Sequence, residues 1–200
     1  MAQLEFLLNL NAPTSKELDL EQVRRSINFT HPIIGLHVRR GDSCHTTLRK
    51  NKCLPLDKHR DEVRLMSERY SIKKVFLATD DTSALSYLQG ELPDMDFISL
   101  SSFDRGKLQS GDGVWIENRL QDGELSGHEL LLFTLRDLFL LSESDAFIGH
   151  FASNLSRLAY LRAVAQHKKY IPFASVDGPW CYHWRMCCEL SSTFPYSHVC

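Results

Sequence analysis

The chain has 200 residues, 43% of them hydrophobic and 24% charged, with a formal net charge of -2. This balance is typical of a globular domain with one substantial core, and the absence of a dense run of Lys and Arg argues against a nucleic-acid surface. The most apolar segment, Leu130–Leu141, contains Arg136 and Asp137 and is too short to cross a bilayer. Met1–Leu10 lacks the pattern of a signal peptide, so we expect no membrane contact from this chain.

The predicted elements begin with a helical segment over residues 4–27, interrupted at Asn11–Ser15. Ile33–Val38 and Lys74–Thr79 are apolar runs typical of strands buried on both faces of a parallel sheet. The pattern further predicts helices at Leu56–Tyr70, Thr82–Leu88, His128–Leu141 and Leu155–Val164, strands at Phe97–Leu100 and Phe147–Phe151, a long connection at Ser101–Gly127 and a loop-like tail at Ile171–Cys200.

Six cysteines fall in two clusters, and neither cluster has the paired spacing of a zinc site. Cys44 and Cys53 flank a polar loop that a disulfide would close, and Cys181 could pair with Cys187 or Cys188 in the same way. This pattern favours disulfides over metal binding, and therefore a secretory compartment.

Charged side chains follow the first buried strand directly. Arg39, Arg40 and Asp42 lie where open α/β sheets bind their ligands, at the carboxyl end of a strand. Since neighbouring residues of an extended chain point to opposite faces, we expect one arginine to face the ligand and the other to hold the loop.

Polar groups from later elements should meet the same sheet edge. Asp80 and Asp81 follow the second strand, and Ser153 is the predicted N-cap of a helix whose free N–H groups suit a phosphate. Asp137 interrupts a buried helix, where a carboxylate must be paired, exposed at one edge or bound to a ligand. An arginine and a helix N-terminus suit a diphosphate, and a carboxylate suits the ring N–H and amino donors of guanine, so the pattern predicts a nucleotide site.

Three segments of the chain resemble the three motifs of the α1,6-fucosyltransferases, in the same order and with similar spacing, between about Leu8 and Tyr160. That family includes enzymes that fucosylate the N-glycan core and chitin oligosaccharides, with protein O-fucosyltransferases as more distant relatives. The matching residues are His31–Arg40 with Asp42, Val75–Asp81, and Asp137, Asp145, Phe151, Ser153 and Arg157–Tyr160.

The resemblance implies an α/β fold, a Rossmann-like parallel sheet with helices on both faces, corresponding to the C-terminal half of a GT-B glycosyltransferase. It implies transfer of fucose from GDP-fucose to a glycan or glycoprotein acceptor, with inversion, without a required metal, through an α1,6 linkage to GlcNAc. It also implies a secretory location, in the Golgi lumen. The expected organisation is one donor-binding domain over 1–200, comprising a leading helical segment (1–27), an α/β core (28–170) and a tail rich in Cys and aromatic residues (171–200).

The resemblance also assigns roles residue by residue. His37 and Asp137 match the guanine contacts, Arg39 the diphosphate arginine and Ser153 a phosphate contact. Arg40 and Asp42 would shape the donor loop, and Asp80 and Asp81 would support the ribose side or the fold. Arg39 is the chief expected catalytic residue, because it would offset the charge on the departing GDP.

The sequence departs from the family just beyond Asp42. Core-fucosylating enzymes have a lysine directly after this aspartate and a glutamate a few residues on, whereas this chain has Ser43 and then Cys44–Thr47. Asp42 and His45 are therefore the substitute candidates for the catalytic base. The alternative is a non-catalytic GDP-sugar or glycan-binding module, or an inactive fragment lacking an acceptor domain.

Overall fold

The computed structural model describes residues 9–41, 44, 53–101, 116–178 and 180, and these form an α/β fold around a parallel five-stranded sheet. The strand order is β3-β2-β1-β4-β5, so the first strand is central and the chain winds outward from it in both directions. The strands are β1 (Ile33–Val38), β2 (Lys74–Thr79), β3 (Asp96–Ile98), β4 (Ala146–Gly149) and β5 (Phe173–Ser175), and the helices are α1 (Ala12–Leu18), α2 (Leu20–Ser26), α3 (Leu56–Tyr70), α4 (Ala84–Glu91), α5 (Ile116–Gln121), α6 (Gly127–Ser142) and α7 (Asn154–His167).

Helices cover both faces of the sheet, which confirms the predicted fold class. On one face, Phe76 and Phe147 of the sheet pack with Leu141 of α6 and Tyr160 of α7 in a single buried cluster. On the other face, Leu36, Leu77 and Ile148 form a second cluster with residues of α3 and α4. Because every residue of β1 is buried, its position is fixed from both sides.

The predicted bounds of α3, β1 and β2 agree with the structure, and those of α4, α6, α7, β3 and β4 agree within three residues. The predicted break at Asn11–Ser15 is wrong, because α1 begins there at Ala12. The Asn11 side chain accepts a hydrogen bond from the Thr14 amide at 2.9 Å, and Pro13 lies in the first turn, where its missing N–H has no cost.

The predicted loop after Ile171 is also wrong at Phe173–Ser175, which forms β5 beside β4. This strand has only three residues and lacks a long apolar run, so its sequence gives little periodicity. Within the predicted connection Ser101–Gly127, residues 116–121 form α5. Residues 102–115 and the predicted pairings of Cys181 lie outside the described residues.

The predicted disulfide between Cys44 and Cys53 is present, closing a loop between residues nine positions apart in sequence. No helix among the described residues has the length and apolarity needed to span a membrane.

Candidate functional site

The carboxyl ends of four strands are aligned at one edge of the sheet. Ala78, His37, Gly149 and Ser175 form one continuous row across β2, β1, β4 and β5. The chain segments that follow each of these residues therefore leave the sheet on the same side, as expected for a ligand-binding edge.

Arg39 lies at the centre of this edge and pairs with Asp80, the carboxylate that follows β2. Its Nη1 donates to Asp80 Oδ2, and Asp80 Oδ1 also accepts the Arg40 amide at 2.7 Å. Gly41 is needed here because a Cβ at this position would lie 2.9 Å from the Asp80 carboxylate. The Arg39 side chain keeps 27% of its surface exposed, so part of this fixed side chain faces solvent.

Arg40 pairs with a different carboxylate from Arg39 and holds the neighbouring loop. Its Nε donates to Asp81 Oδ2 at 2.8 Å, and its Nη1 donates to the carbonyl of Leu54. Burial alone would raise the pKa of Asp81, but hydrogen bonds from Ser83 and Arg40 hold that pKa below its usual value. Asp81 is thus an ionised anchor for the loop.

His37 is buried on the α6 and α7 face of β1, and its Nδ1 lies 2.6 Å from Ser156 Oγ in the first turn of α7. Burial, followed by the nearby positive charge of Arg39, lowers the pKa of His37 to about 3. The imidazole is therefore neutral at physiological pH. Gly149 permits the close packing around it, since a Cβ at Gly149 would lie 2.8 Å from Ser156 Oγ.

Asp137 is 4% exposed and belongs to the buried side of α6, which packs on β1 and β2. The structure thus places this carboxylate on the same face of the sheet as His37.

Ser153 has the predicted N-cap position of α7, with an extended backbone conformation. The expected capping bond is absent, since the Ser153 side chain makes no hydrogen bond to the first turn of the helix. The hydroxyl and the first N–H groups of a fourteen-residue helix are consequently available to an anion.

Asp42, Ser43 and His45 lie outside the described residues, so their predicted roles remain predictions. Within the described parts of the chain, no group of three or more His, Cys, Asp or Glu side chains is arranged to bind a metal ion.

A shallow groove of about 490 Å³ adjoins this edge on the side of Arg40 that faces α3 and α4. It does not include Arg39. The described residues that line it are Arg40, Cys53, Pro55, Leu56, Asp57 and Tyr87.

Sequence reasoning missed two residues that organise the edge, Ser156 and Asp177. Ser156 holds His37, and Asp177 accepts hydrogen bonds from the turn between β4 and α7. Asp177 precedes Gly178, so an Asp-Gly turn signal at the end of a short strand could have identified it. Ser156 has no comparable local signal.

Comparisons with known proteins give one consistent result. A family model described as alpha-(1,6)-fucosyltransferase N- and catalytic domains matches residues 2–180. The alpha-(1,6)-fucosyltransferase of Drosophila melanogaster is 26% identical over 163 residues, which cover 78% of this chain and 23% of the fly protein.

Solved structures agree at the level of the fold. The crystal structure of POFUT1 in complex with GDP-fucose matches with a TM-score of 0.54 and 10% identity, over 82% of this chain and 46% of that one. The high-resolution complex of POFUT1 with GDP matches with a TM-score of 0.52 and 12% identity, over 83% of this chain and 48% of that one. The chain therefore spans about a quarter of the curated relative and less than half of the solved structures.

Proposed function

We propose that this chain, which belongs to the α1,6-fucosyltransferase family, binds GDP-fucose at the carboxyl edge of its sheet and serves as the donor domain of a fucosyltransferase. The observation that carries the proposal is the arrangement of Arg39, His37 and the N-terminus of α7 around one row of aligned strand ends.

The diphosphate would bind between Arg39 and the start of α7. Arg39 offers charged N–H donors held in place by Asp80, and Ser153 with the free amides of α7 offers a second set. During transfer, the bond between fucose and the β-phosphate breaks and GDP leaves with that electron pair. A fixed guanidinium stabilises this developing charge, so Arg39 is the proposed catalytic residue on the leaving-group side.

The guanine base would bind on the α6 and α7 face, beside His37 and Asp137. A carboxylate can accept both the N1–H and the 2-amino group of guanine, which adenine does not offer in this arrangement. The neutral His37, held through Nδ1 by Ser156, leaves Nε2 for a second contact. Asp81 and Arg40 support the loop of this donor site, as Asp80 supports Arg39.

We propose inverting transfer to a glycan of a glycoprotein, through the 6-hydroxyl of GlcNAc, with Asp42 or His45 taking the proton of that hydroxyl. No metal is needed, because Arg39 and the helix N-terminus supply the positive charge. The Cys44–Cys53 disulfide supports a location in the secretory pathway, as expected for the Golgi lumen.

A donor-binding module that does not itself transfer fucose is the second candidate. Ser43 favours it, because this chain lacks the lysine that core-fucosylating relatives have directly after the aspartate. Release of GDP from GDP-fucose in the presence of N-glycans, chitin oligosaccharides or peptides would establish the enzyme. Binding without release across that panel would establish the module.

Calorimetric titration with GDP tests the donor site. Arg39→Ala should weaken GDP binding by about 10- to 100-fold, the value of a hydrogen bond between charged groups. Arg60→Ala is the matched control, because Arg60 pairs with Asp61 and Glu91 at the surface of α3 and should leave affinity unchanged. Equal affinity in the wild type and Arg39→Ala would reject the assignment.

Comparison of GDP with IDP tests the guanine contact, because inosine lacks the 2-amino group. The wild type should prefer GDP, and Asp137→Asn should lose most of that preference, since an amide can accept only one of the two donors well. An unchanged preference in the folded variant would place the base elsewhere.

A further inference from the structure

The turn between β4 and α7 is held by a carboxylate from a different part of the chain. Asp177 Oδ1 accepts the Phe151 amide at 2.8 Å, and Asp177 Oδ2 accepts the Ala152 amide at 2.6 Å. Ser175 Oγ donates to Oδ1 at 2.9 Å, and His150 Nε2 lies 3.2 Å from Oδ2. Four polar groups thus converge on one carboxylate whose side chain is 12% exposed.

Strand pairing explains how Asp177 reaches this turn. Gly149 and Ser175 are paired across β4 and β5, and the Val176 amide donates to the Gly149 carbonyl at 3.1 Å. Asp177 is therefore level with the turn as both chains leave the sheet. Gly178 follows with φ of 137°, a conformation that favours glycine.

The Asp177 carboxylate accepts hydrogen bonds from the two turn amides, so these amides are not left to donate to a phosphate. With Phe151 and Ala152 already satisfied, an anion arriving at this edge meets the Ser153 hydroxyl and the amides of α7 instead. The turn is also fixed, because its two central amides donate to one carboxylate that most of the surrounding structure covers.

We propose that Asp177 is a positioning residue for the diphosphate: as a built-in anion, it fixes the His150–Ser153 turn so that Ser153 and the start of α7 face the phosphates held by Arg39. This inference rests on the proposed function, since it assumes that GDP binds at this edge. Asp177 itself does not contact the ligand.

Asp177→Asn keeps the shape of the side chain but replaces one acceptor oxygen with an NH₂ group that faces a backbone donor. We expect GDP binding to weaken about tenfold, in line with a lost hydrogen bond to a charged group. GMP binding should weaken less, because GMP lacks the β-phosphate. The variant should therefore show a smaller ratio of GDP to GMP affinity, a ratio that mere loss of folded protein would not change.

Asp145→Asn is a matched control at the opposite edge of the sheet. Asp145 Oδ2 also accepts a backbone amide, from Ile33 at 2.8 Å, and also lies beside an imidazole, His31 Nδ1 at 2.8 Å. This variant should lose comparable stability and keep the GDP to GMP ratio of the wild type.

Ser175 provides a milder pair of variants should Asp177→Asn fold poorly. Ser175→Ala removes one donor to Asp177 and should reduce the GDP to GMP ratio partially, while Ser175→Thr keeps the hydroxyl and should restore it. If Asp177→Asn binds GDP as tightly as the wild type or more tightly, the inference is wrong, although the proposed donor site is not. If Asp177→Asn does not fold, the same result in Ser175→Ala has the same meaning. Absence of GDP binding in the wild type overturns both.

Discussion

Acidification should destabilise this domain through His37. The folded protein keeps this imidazole neutral, with its pKa lowered from 6.5 to about 3 by burial and by the charge of Arg39. In the unfolded chain the same group titrates near its ordinary value, so between these two pKa values the unfolded state binds more protons. The contribution to stability is complete above the unfolded pKa and is lost as the pH falls towards about 3.

The size of the effect follows from the difference between the two states. At about pH 5 the unfolded imidazole is protonated and the folded one is not, which corresponds to roughly 2 kcal/mol of lost stability relative to about pH 8. His59 adds a similar amount, because burial lowers its pKa to about 4. Together these losses are a large part of the stability of an ordinary domain, about 5–15 kcal/mol.

Urea denaturation across this pH range measures the effect in the wild type, His37→Asn, His59→Asn and the double variant. Each single variant should be less stable at neutral pH but should lose roughly 2 kcal/mol less on acidification than the wild type does, and the double variant should show both reductions. Parallel curves for the wild type and His37→Asn would refute the buried, neutral imidazole.

Two further substitutions test the packing around the site. Gly149→Ala would place a Cβ 2.6 Å from the Phe147 ring and 2.8 Å from Ser156 Oγ. We expect thermal unfolding to show about 1–3 kcal/mol of destabilisation, and we expect weaker GDP binding. Unchanged stability and affinity would contradict the close approach. Cys53→Ser opens the loop that the disulfide with Cys44 closes. Chain entropy predicts that the free energy of unfolding, measured with urea under oxidising conditions, falls by about 3 kcal/mol. Equal stability would show that the crosslink contributes nothing.

The strands and their charged ends could be predicted because their signals are local. Ile33–Val38 is an apolar run followed at once by Arg39 and Arg40, and Lys74–Thr79 is followed by Asp80. Alternation of side chains along the backbone then predicted that the two arginines would diverge, and in the structure Arg40 turns to Asp81 and the Leu54 carbonyl.

The organising contacts could not be predicted because their partners are distant in sequence. Ser156 is 119 residues from His37, and Asp177 is 26 residues from Phe151. These contacts form only when β4 pairs with β1 and β5 pairs with β4 in the folded sheet. At Ser153 the sequence predicted the start of α7 correctly. It did not predict that the Ser153 hydroxyl would make no capping bond to the helix.

Amide chemical shifts recorded during titration with GDP test the donor site most directly. Saturable shifts should appear at Arg39, Ser153 and Ser156, at the carboxyl edge of the sheet, and should be absent at Ile33 and Asp145 at the opposite edge. Shifts confined to any other surface, or none at all, would contradict a GDP-fucose site at this edge.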